Sequence, residues 1–156
     1  MNKEIIEFLK ESNNIEDVWD EDSLTQAIYA WKYLVKNEKL TREVILKTHK
    51  ILMLHQLMQP DERGYFRKRP VWIGGHEAKS YWEIKTLMEN WIKEAMKPKI
   101  ENEIKNDHIL FEAIHPFIDG NGRIGRMLLN WQRIRAGRPV LVIKESEKSK
   151  YYKWFN

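Results

Sequence analysis

Apolar and polar residues alternate along this chain with the spacing of amphipathic helices. Apolar residues recur three and four positions apart in five stretches, as they do when one face of a helix packs on a core. Prolines follow three of the stretches, at positions 60, 98 and 116, and a proline cannot continue a helix. The pattern therefore predicts a mainly α fold, with helices over residues 22–35, 41–58, 80–95, 100–114 and 122–134.

Local signals at the helix ends sharpen these bounds. Asp22 or Ser23 is expected to cap the first helix, because short polar side chains accept hydrogen bonds from the first free N–H groups. Ser80 and Glu83 fit the capping-box pattern, in which each side chain bonds the backbone N–H of the other residue. Gly137 is expected to end the last of the five helices in a left-handed conformation.

Two segments depart from the helical pattern. Residues 62–75 combine glycine, proline, aromatic and β-branched residues, which predicts a short β-hairpin. Residues 140–143 are apolar but too few for periodicity to decide between strand and helix. A last helical turn through Tyr151, Tyr152 and Phe155 is also expected.

Length and composition restrict the class of protein. With 156 residues the chain has the size of one domain, so residues 1–156 are expected to share one core. The absence of cysteine excludes disulfides and thiolate chemistry. No stretch approaches the ~18 apolar residues of a membrane span, and the acidic start lacks the features of a secretion signal. We therefore expect a cytoplasmic protein that does not enter a membrane.

The net charge of +4 raises the question of a nucleic-acid partner. Positive and negative residues are mixed along most of the chain, however, as they are on solvated helix faces. No nucleic-acid partner is therefore expected.

The segment HPFIDGNGRIGR, residues 115–126, concentrates residues that suit phosphate chemistry. Pro116 ends one helix and the next begins near Gly122, so Gly120 and Asn121 lie in a loop that leads into a helix N-terminus. Such loops direct several backbone N–H groups to one point, where the helix dipole adds positive potential. The loop is therefore expected to bind a phosphate group.

Four charged or titratable side chains flank this loop. Arg123 and Arg126 are three residues apart in the first helical turn, so both are expected on one side, where two guanidinium groups suit a polyphosphate. Asp119 would repel phosphates unless it holds Mg²⁺, which prefers a carboxylate together with phosphate oxygens. His115 can accept a proton near neutral pH. Together these residue types indicate phosphoryl or nucleotidyl transfer.

Each of these residues also has an ordinary interpretation. A lone GNG is a common turn, Asp119 could cap a helix, and the arginines could be solvated on the surface. The functional interpretation is preferred because all of these residues fall together within one short segment.

The same segment resembles the signature of the Fic (filamentation induced by cyclic AMP) family, HxFx(D/E)GNGRxxR, at every specified position. The resemblance extends from about Ser12 to Phe155. It implies a Fic-type helical domain with a short β-hairpin flap. It also implies a protein adenylyltransferase, an enzyme that moves AMP from ATP to a Ser, Thr or Tyr hydroxyl of a target protein and releases pyrophosphate.

The resemblance assigns a role to each residue of the signature. His115 would be the base that activates the target hydroxyl, and Asp119 would hold Mg²⁺. The glycine-rich loop would cradle the phosphates of ATP, and the two arginines would neutralise the β- and γ-phosphates of the leaving pyrophosphate. The phosphate-binding residues would then be Gly120, Asn121, Gly122, Arg123 and Arg126.

The hairpin predicted at residues 62–75 falls where this family has its flap. The exposed edge of the flap pairs with the main chain of the target, a form of strand addition, so the resemblance implies that a target protein docks there. The alternative is an inert surface hairpin whose Arg and Lys residues protect its edge from aggregation.

Residues 1–20 carry a second resemblance. The run from Ser12 to Asp17 is similar to the inhibitory motif (S/T)xxxE(G/N) of some Fic proteins, with Asp17 in place of Gly or Asn. The resemblance implies that Glu16 pairs with Arg126 and places negative charge where the γ-phosphate of ATP should lie. It also implies that Glu16 orients a water that removes AMP from modified targets. Alternatively, Glu16 caps the next helix.

Two other functions remain open at the level of sequence. One is removal of AMP, or transfer of another phosphate-containing group, as the main activity. The other is a nucleotide-binding regulator without turnover, which would bind ATP and Mg²⁺ yet give no product that depends on His115.

Overall fold

The computed structural model describes residues 1–156 and contains α-helices together with one two-stranded β-hairpin. The prediction of a mainly α fold with a short hairpin is therefore confirmed. The helices are α1 (Lys3–Ile15), α2 (Glu21–Val35), α3 (Arg42–Leu52), α4 (Ile84–Ala95), α5 (Glu101–Ile114), α6 (Asn121–Arg135) and α7 (Lys148–Tyr152), and the strands are β1 (Trp72–Ile73) and β2 (His76–Glu77).

The apolar faces of α1 to α6 meet in one core. Phe8 of α1 lies edge to face with Trp31 of α2, with ring centroids 5.3 Å apart. The indole N–H of Trp91 donates to the carbonyl of Asp107 at 2.7 Å, so the polar edge of this buried ring is satisfied. α5 packs along α6, and the turn between them belongs to the segment 115–126. No helix combines the length and the apolar character needed to cross a membrane.

The helical pattern of the sequence does not predict α1. Phe8 and Leu9 are buried on its inner face, but the last turn of the helix buries three polar residues and only one apolar residue, Ile15. The periodic apolar signal therefore stops before the helix does. The buried polar residues of this turn are Ser12, Asn13 and Asn14.

Two predicted helix caps are wrong. α2 is capped by Asp20 rather than by Asp22 or Ser23, and the Asp20 side chain accepts from the N–H of Ser23 at 2.9 Å. The cap lies earlier than predicted because the first turn is polar, so the apolar pattern begins after the helix has started. Ser80 makes no capping hydrogen bond, because a 3₁₀ turn, Tyr81–Glu83, separates it from α4.

α3 ends at Leu52 rather than near Met58. The guanidinium of Arg63 explains the early end, because it takes the carbonyls that a longer helix would use. Its Nε donates to Met53 O at 2.9 Å and its Nη2 to Gln56 O at 2.8 Å. Contacts from the chain that follows have therefore overridden a favourable helical pattern.

The β-hairpin lies further along the chain than the range 62–75 predicts. Its strands pair Trp72 with Glu77 and Ile73 with His76, in antiparallel register. Gly74 and Gly75 form the turn with φ of 54° and 87°, the conformation that two-residue hairpins require. The prediction placed these glycines at the end of the hairpin, whereas they are its tip.

The C-terminal part agrees with the sequence more closely. Gly137 follows α6 with a φ of 75°, as predicted. Residues 140–143 form neither helix nor strand, and Asn130 holds them by bonding the N–H of Leu141 at 2.7 Å and its carbonyl at 3.0 Å. The expected last helical turn is α7, which is followed by a 3₁₀ turn, Lys153–Phe155.

Candidate active site

His115 stands where α5 ends. Its backbone is left-handed, with a φ of 52°, and its N–H donates to Phe111 O at 3.0 Å. Its ring Nδ1 lies 3.2 Å from the carbonyl of Glu112. Because a carbonyl can only accept, Nδ1 carries the proton and Nε2 is left free to receive one. Burial lowers the pKa of His115 below its ordinary value, so the ring is neutral at pH 7.

The loop after His115 is closed by one side chain. Asn121 accepts from the N–H of Phe117 at 2.9 Å and donates to the carbonyl of the same residue at 2.8 Å. Gly120 has a φ of 87° and leads directly into α6. Since the Asn121 side chain is used inside the loop, only the backbone N–H groups of this loop are available to a phosphate.

Asp119 is the exposed acid of the loop. Its Oδ1 accepts from the N–H of Gly120 at 2.8 Å and lies 3.8 Å from Nη2 of Arg123, while its Oδ2 makes no hydrogen bond. The chain has no cluster of three or more acidic or histidine side chains that could hold a metal alone. One free carboxylate oxygen beside a phosphate-binding loop fits Mg²⁺ that shares its ligands with phosphate.

Arg123 is a buried cation with unused donors. Its side chain is 3% exposed, and its Nε and Nη1 are buried without a hydrogen-bond partner. Unpaired buried donors are costly, more so on a charged group. An anion bound beside α6 would satisfy them.

Arg126, by contrast, is held mainly by the N-terminal segment. Its Nε donates to Ser12 Oγ at 2.7 Å and its Nη2 to Ser12 O at 3.0 Å. Nη2 also donates to Glu16 Oε1 at 2.7 Å, and Nη1 to the hydroxyl of Tyr151 at 3.3 Å. The contact expected between Glu16 and Arg126 is therefore present, whereas its inhibitory effect stays a prediction.

Asp17 makes the turn that presents Glu16. Its φ is 58°, the left-handed conformation that Gly or Asn would adopt at this position and that Asp tolerates better than most residues. The departure of Asp17 from the inhibitory motif therefore leaves the turn intact. Glu16 does not cap α2, since Asp20 does so.

The carboxylate of Glu16 rests on the first turn of α6. A Cβ atom at Gly122 would overlap Oε1 of Glu16 and would come within 2.9 Å of Nη1 of Arg126. Only glycine leaves room for the carboxylate here. The protein's own anion thus lies at a helix N-terminus beside an arginine, the arrangement that binds phosphate.

Two adjoining cavities meet at this point. The larger, of about 590 Å³, runs from Arg126 to the hairpin residues Ile73 and Gly74 and to aromatic residues near the C-terminus. The smaller, of about 100 Å³, lies over residues 118–123. The larger has the volume of a typical small-ligand site. Both are lined by Glu16, His115 and Gly122.

Comparison with known proteins identifies the family. A model of the Fic/DOC family matches residues 39–132, which is more than half of the chain. The chain belongs to the Fic/DOC family. The family resemblance read from the signature is therefore confirmed, and the fold described above is that of a Fic domain.

Curated relatives support this membership. The chain is 36% identical over 124 residues to the protein adenylyltransferase Fic of Drosophila willistoni and 35% identical over 124 residues to that of Drosophila virilis. Each alignment covers 76% of this chain but only 24% and 25% of the relative, respectively. The chain thus spans about a quarter of the length of the curated relatives it matches.

Solved structures share the fold. A Fic domain containing signaling protein from Bacteroides thetaiotaomicron superimposes with a TM-score of 0.79 at 20% identity, over 95% of this chain and 69% of that one. Fic-1 of C. elegans, residues 134–508, gives a TM-score of 0.81 at 17% identity, over 98% of this chain and 55% of that one.

The sequence pattern of the Fic signature does not reveal Arg67. Its side chain is buried and donates only to backbone carbonyls, with Nε 2.7 Å from His115 O and Nη2 3.3 Å from Ile114 O. The same guanidinium donates to Arg69 O at 3.0 Å and to Lys79 O. In the sequence, Arg67 is one of several cations in a basic stretch. Its partners are all backbone carbonyls, so no acidic residue in the sequence points to it.

His49 of α3 is a second residue that the sequence does not single out. Its Nε2 donates to Asp119 O at 2.8 Å, and its Nδ1 accepts from the N–H of Gly64 at 3.0 Å. The ring stacks on Phe117, with centroids 3.8 Å apart. Burial lowers the pKa of His49 to about 4, so the neutral ring fixes the backbone of the loop.

Glu112 is a half-buried acid that lines the larger cavity. Its Oε1 is buried without a hydrogen-bond partner, and burial raises its pKa to about 7. Near it, the hydroxyl of Tyr151 donates to Nε2 of His108 at 2.7 Å, and Nδ1 of His108 donates to Gly125 O at 3.1 Å. Burial lowers the pKa of His108 to about 3, so this histidine is a neutral structural link.

Proposed function

We propose that this chain transfers AMP from ATP to a Ser, Thr or Tyr hydroxyl of a target protein and releases pyrophosphate. The observation that supports this most directly is the position of Glu16. Its carboxylate lies between the two cavities, where it contacts Gly122 and pairs with Arg126. An anion of the protein occupies the place that suits a phosphate of ATP. The curated relatives, which are named protein adenylyltransferases, point the same way.

ATP would lie across both cavities. Its nucleoside would lie in the larger one, and its phosphates would lie in the smaller one, over the N–H groups of residues 121–123 at the start of α6. The unpartnered Nε and Nη1 of Arg123 would bind one phosphate, and Arg126 would bind another once Glu16 has left. Mg²⁺ held by Asp119 and the phosphates would neutralise negative charge that builds up on the leaving group.

His115 would act as the general base. Its Nε2 is free and neutral, so it can take the proton of the target hydroxyl. The hydroxyl oxygen then attacks the α-phosphorus of ATP. The bond between the α-phosphorus and its bridging oxygen breaks, and pyrophosphate leaves with the electron pair beside Arg123 and Arg126.

The target would dock on the hairpin, which we call the flap (residues 72–77). Both strands are exposed, and each has one unpaired edge, because the sheet contains only two strands. An extended segment of the target can therefore add as a third strand. Ile73 and Gly74 at the tip line the larger cavity that His115 also lines, so the docked segment would lie near the base.

The pair of Glu16 with Arg126 would restrain the reaction. While the pair is formed, the carboxylate repels the γ-phosphate and both donors of Arg126 Nη2 are engaged, one by Glu16 and one by Ser12 O. The chain as it stands is therefore expected to transfer AMP slowly, and loss of the carboxylate to raise the rate.

The test uses ATP labelled on the α-phosphate, Mg²⁺ and a cell lysate as the source of target. The unaltered chain is compared with Glu16→Gly and with Glu16→Gly combined with His115→Ala. We expect strong protein labelling with Glu16→Gly, faint labelling with the parent and none with the double variant. Thermal unfolding of all three chains checks that they remain folded.

Each contrary result points to a particular alternative. If protein is labelled by γ-labelled ATP but not by α-labelled ATP, the reaction is transfer of phosphate and not of AMP. Loss of label from protein that was modified beforehand, without any addition, would indicate AMP removal. Binding of ATP without any product that depends on His115 would indicate a non-catalytic regulator.

A further inference from the structure

The flap is joined to the rest of the protein by a single polar group. Residues 70–79 make hydrogen bonds among themselves, and the only bond with the rest of the protein is the one that the guanidinium of Arg67 donates to Lys79 O. The same guanidinium also donates to Arg69 O, just before the segment begins. The guanidinium of Arg67 therefore binds the chain at both ends of the segment that carries the flap, at Arg69 O and at Lys79 O.

The other side of this guanidinium holds the end of α5. Its Nε and Nη2 donate to the carbonyls of His115 and Ile114, and the backbone N–H of Arg67 donates to Pro116 O at 2.9 Å. These carbonyls have no partner within the helix and lie at its negative end, so a cation is favourable there. Arg67 thus connects the backbone of His115 with the base of the flap.

No other side chain could make this connection. Arginine presents five donors in a rigid plane, whereas lysine presents three around one nitrogen, at the end of a flexible stem. Four carbonyls in two directions match the arginine and not the lysine. The guanidinium has no carboxylate partner in the structure, so its contacts are all with backbone.

We infer that Arg67 is a positioning residue that sets the distance between the docked target and His115. This inference rests on the proposed function. When Arg67 is altered, the flap and the target strand on it become free to move, while His115 keeps its own bonds to Phe111 O and Glu112 O. Transfer to a protein hydroxyl should then fall, whereas transfer of AMP to water, which needs no flap, should persist.

The test compares Arg67→Lys with its parent, both in the Glu16→Gly chain. Three quantities are measured: AMP transfer to protein, hydrolysis of ATP to AMP and pyrophosphate, and the dissociation constant of ATP. We expect transfer to protein to fall about tenfold or more, because small misplacements of reacting groups have effects of this size. Hydrolysis and the dissociation constant should change by less than about threefold.

A control separates positioning from general destabilisation. Trp91 lies on α4, and Trp91→Phe removes its bond to Asp107 O of α5, which weakens the fold without touching the flap. A loss of hydrolysis, ATP binding and protein transfer in parallel, as in this control, would show that Arg67 is only structural and would overturn the inference.

A further measurement is independent of catalysis. Hydrogen exchange at the amide of Ala78, which donates to Val71 O at 2.9 Å, reports on the flap. Arg67→Lys should speed this exchange about tenfold more than that of α6 amides, and equal changes in both would contradict the inference. If the Glu16→Gly parent transfers no AMP at all, the proposed function fails, and this exchange still decides whether Arg67 holds the flap.

Discussion

At the scale of single residues, two unusual backbone conformations place the reactive groups. Asp17 and His115 are the only residues other than glycine with positive φ, and each follows the end of a helix that points into the site. Left-handed backbone costs energy for residues with a Cβ, so it persists only where the surroundings hold it. One turn presents Glu16 and the other presents the imidazole of His115.

The turn at Asp17 gives a prediction about regulation. Asp17→Val should strain the turn by about 1–2 kcal/mol, because β-branched residues disfavour left-handed backbone, and should weaken the pair of Glu16 with Arg126. AMP transfer by the otherwise unaltered chain should rise several-fold. Asp17→Gly removes the same bond to Trp19 but relaxes the turn, so its rate should not rise. Equal rates in the two variants would refute this account of the turn.

Residues that are predicted to bind a ligand are easier to find in the sequence than residues whose side chains bond only to backbone. Residues 115–126 could be proposed as a site because phosphate chemistry demands particular residue types at particular spacings. Arg67 and His49 could not, since their partners are carbonyl and N–H groups that every residue carries. The contact of Glu16 with Arg126 was expected only through resemblance to the family.

At the scale of elements, α1 has two structural roles: it packs on the core, and its end contacts Arg126 of α6. Its first turns bury apolar residues in the core, whereas its last turn buries Ser12 and its neighbours against α6. Because the last turn uses polar residues for this contact, it lacks the apolar periodicity by which a helix is recognised in a sequence. The flap was misplaced for a comparable reason, because the positive φ of Gly74 and Gly75 is fixed only when the turn forms.

The packing of α1 should control the rate. Ile15→Val removes one methylene beside Glu16 and should favour local opening of the helix end, at a cost of about 0.5–1.5 kcal/mol. AMP transfer should rise by roughly two- to tenfold. Ile45→Val in α3 is the matched control, since it is equally conservative and is 0% exposed. Both variants should lower the melting temperature similarly, and a rise in rate with Ile45→Val would argue against local opening.

At the scale of the whole molecule, burial of titratable groups makes stability depend on pH. His49 and His108 are neutral in the folded protein, with pKa values lowered by burial to about 4 and about 3. The unfolded chain takes up protons on both below about pH 6.5, so both contributions to stability are lost as pH falls. Glu112 acts in the opposite sense, because burial raises its pKa to about 7 and the folded protein binds its proton first.

His49 and His108 together outweigh Glu112, so stability falls between pH 7 and pH 5. Each histidine contributes a loss of about 2 kcal/mol at pH 5, and Glu112 offsets a similar amount. The melting temperature should therefore be lower at pH 5, and Glu112→Gln, which removes the offset, should make the decrease about twice as large. A decrease that Glu112→Gln leaves unchanged would show that Glu112 does not titrate in this range.

The 110 residues that separate Glu16 from Arg126 also fix an order of events during synthesis. At about 5–20 residues per second, a ribosome makes the carboxylate roughly 6 to 22 seconds before the arginine that it meets. The carboxylate that we propose as a restraint is therefore already present when the proposed nucleotide site first assembles. If the same contact came from a segment translated after α6, every newly made copy would pass through an interval with its nucleotide site open.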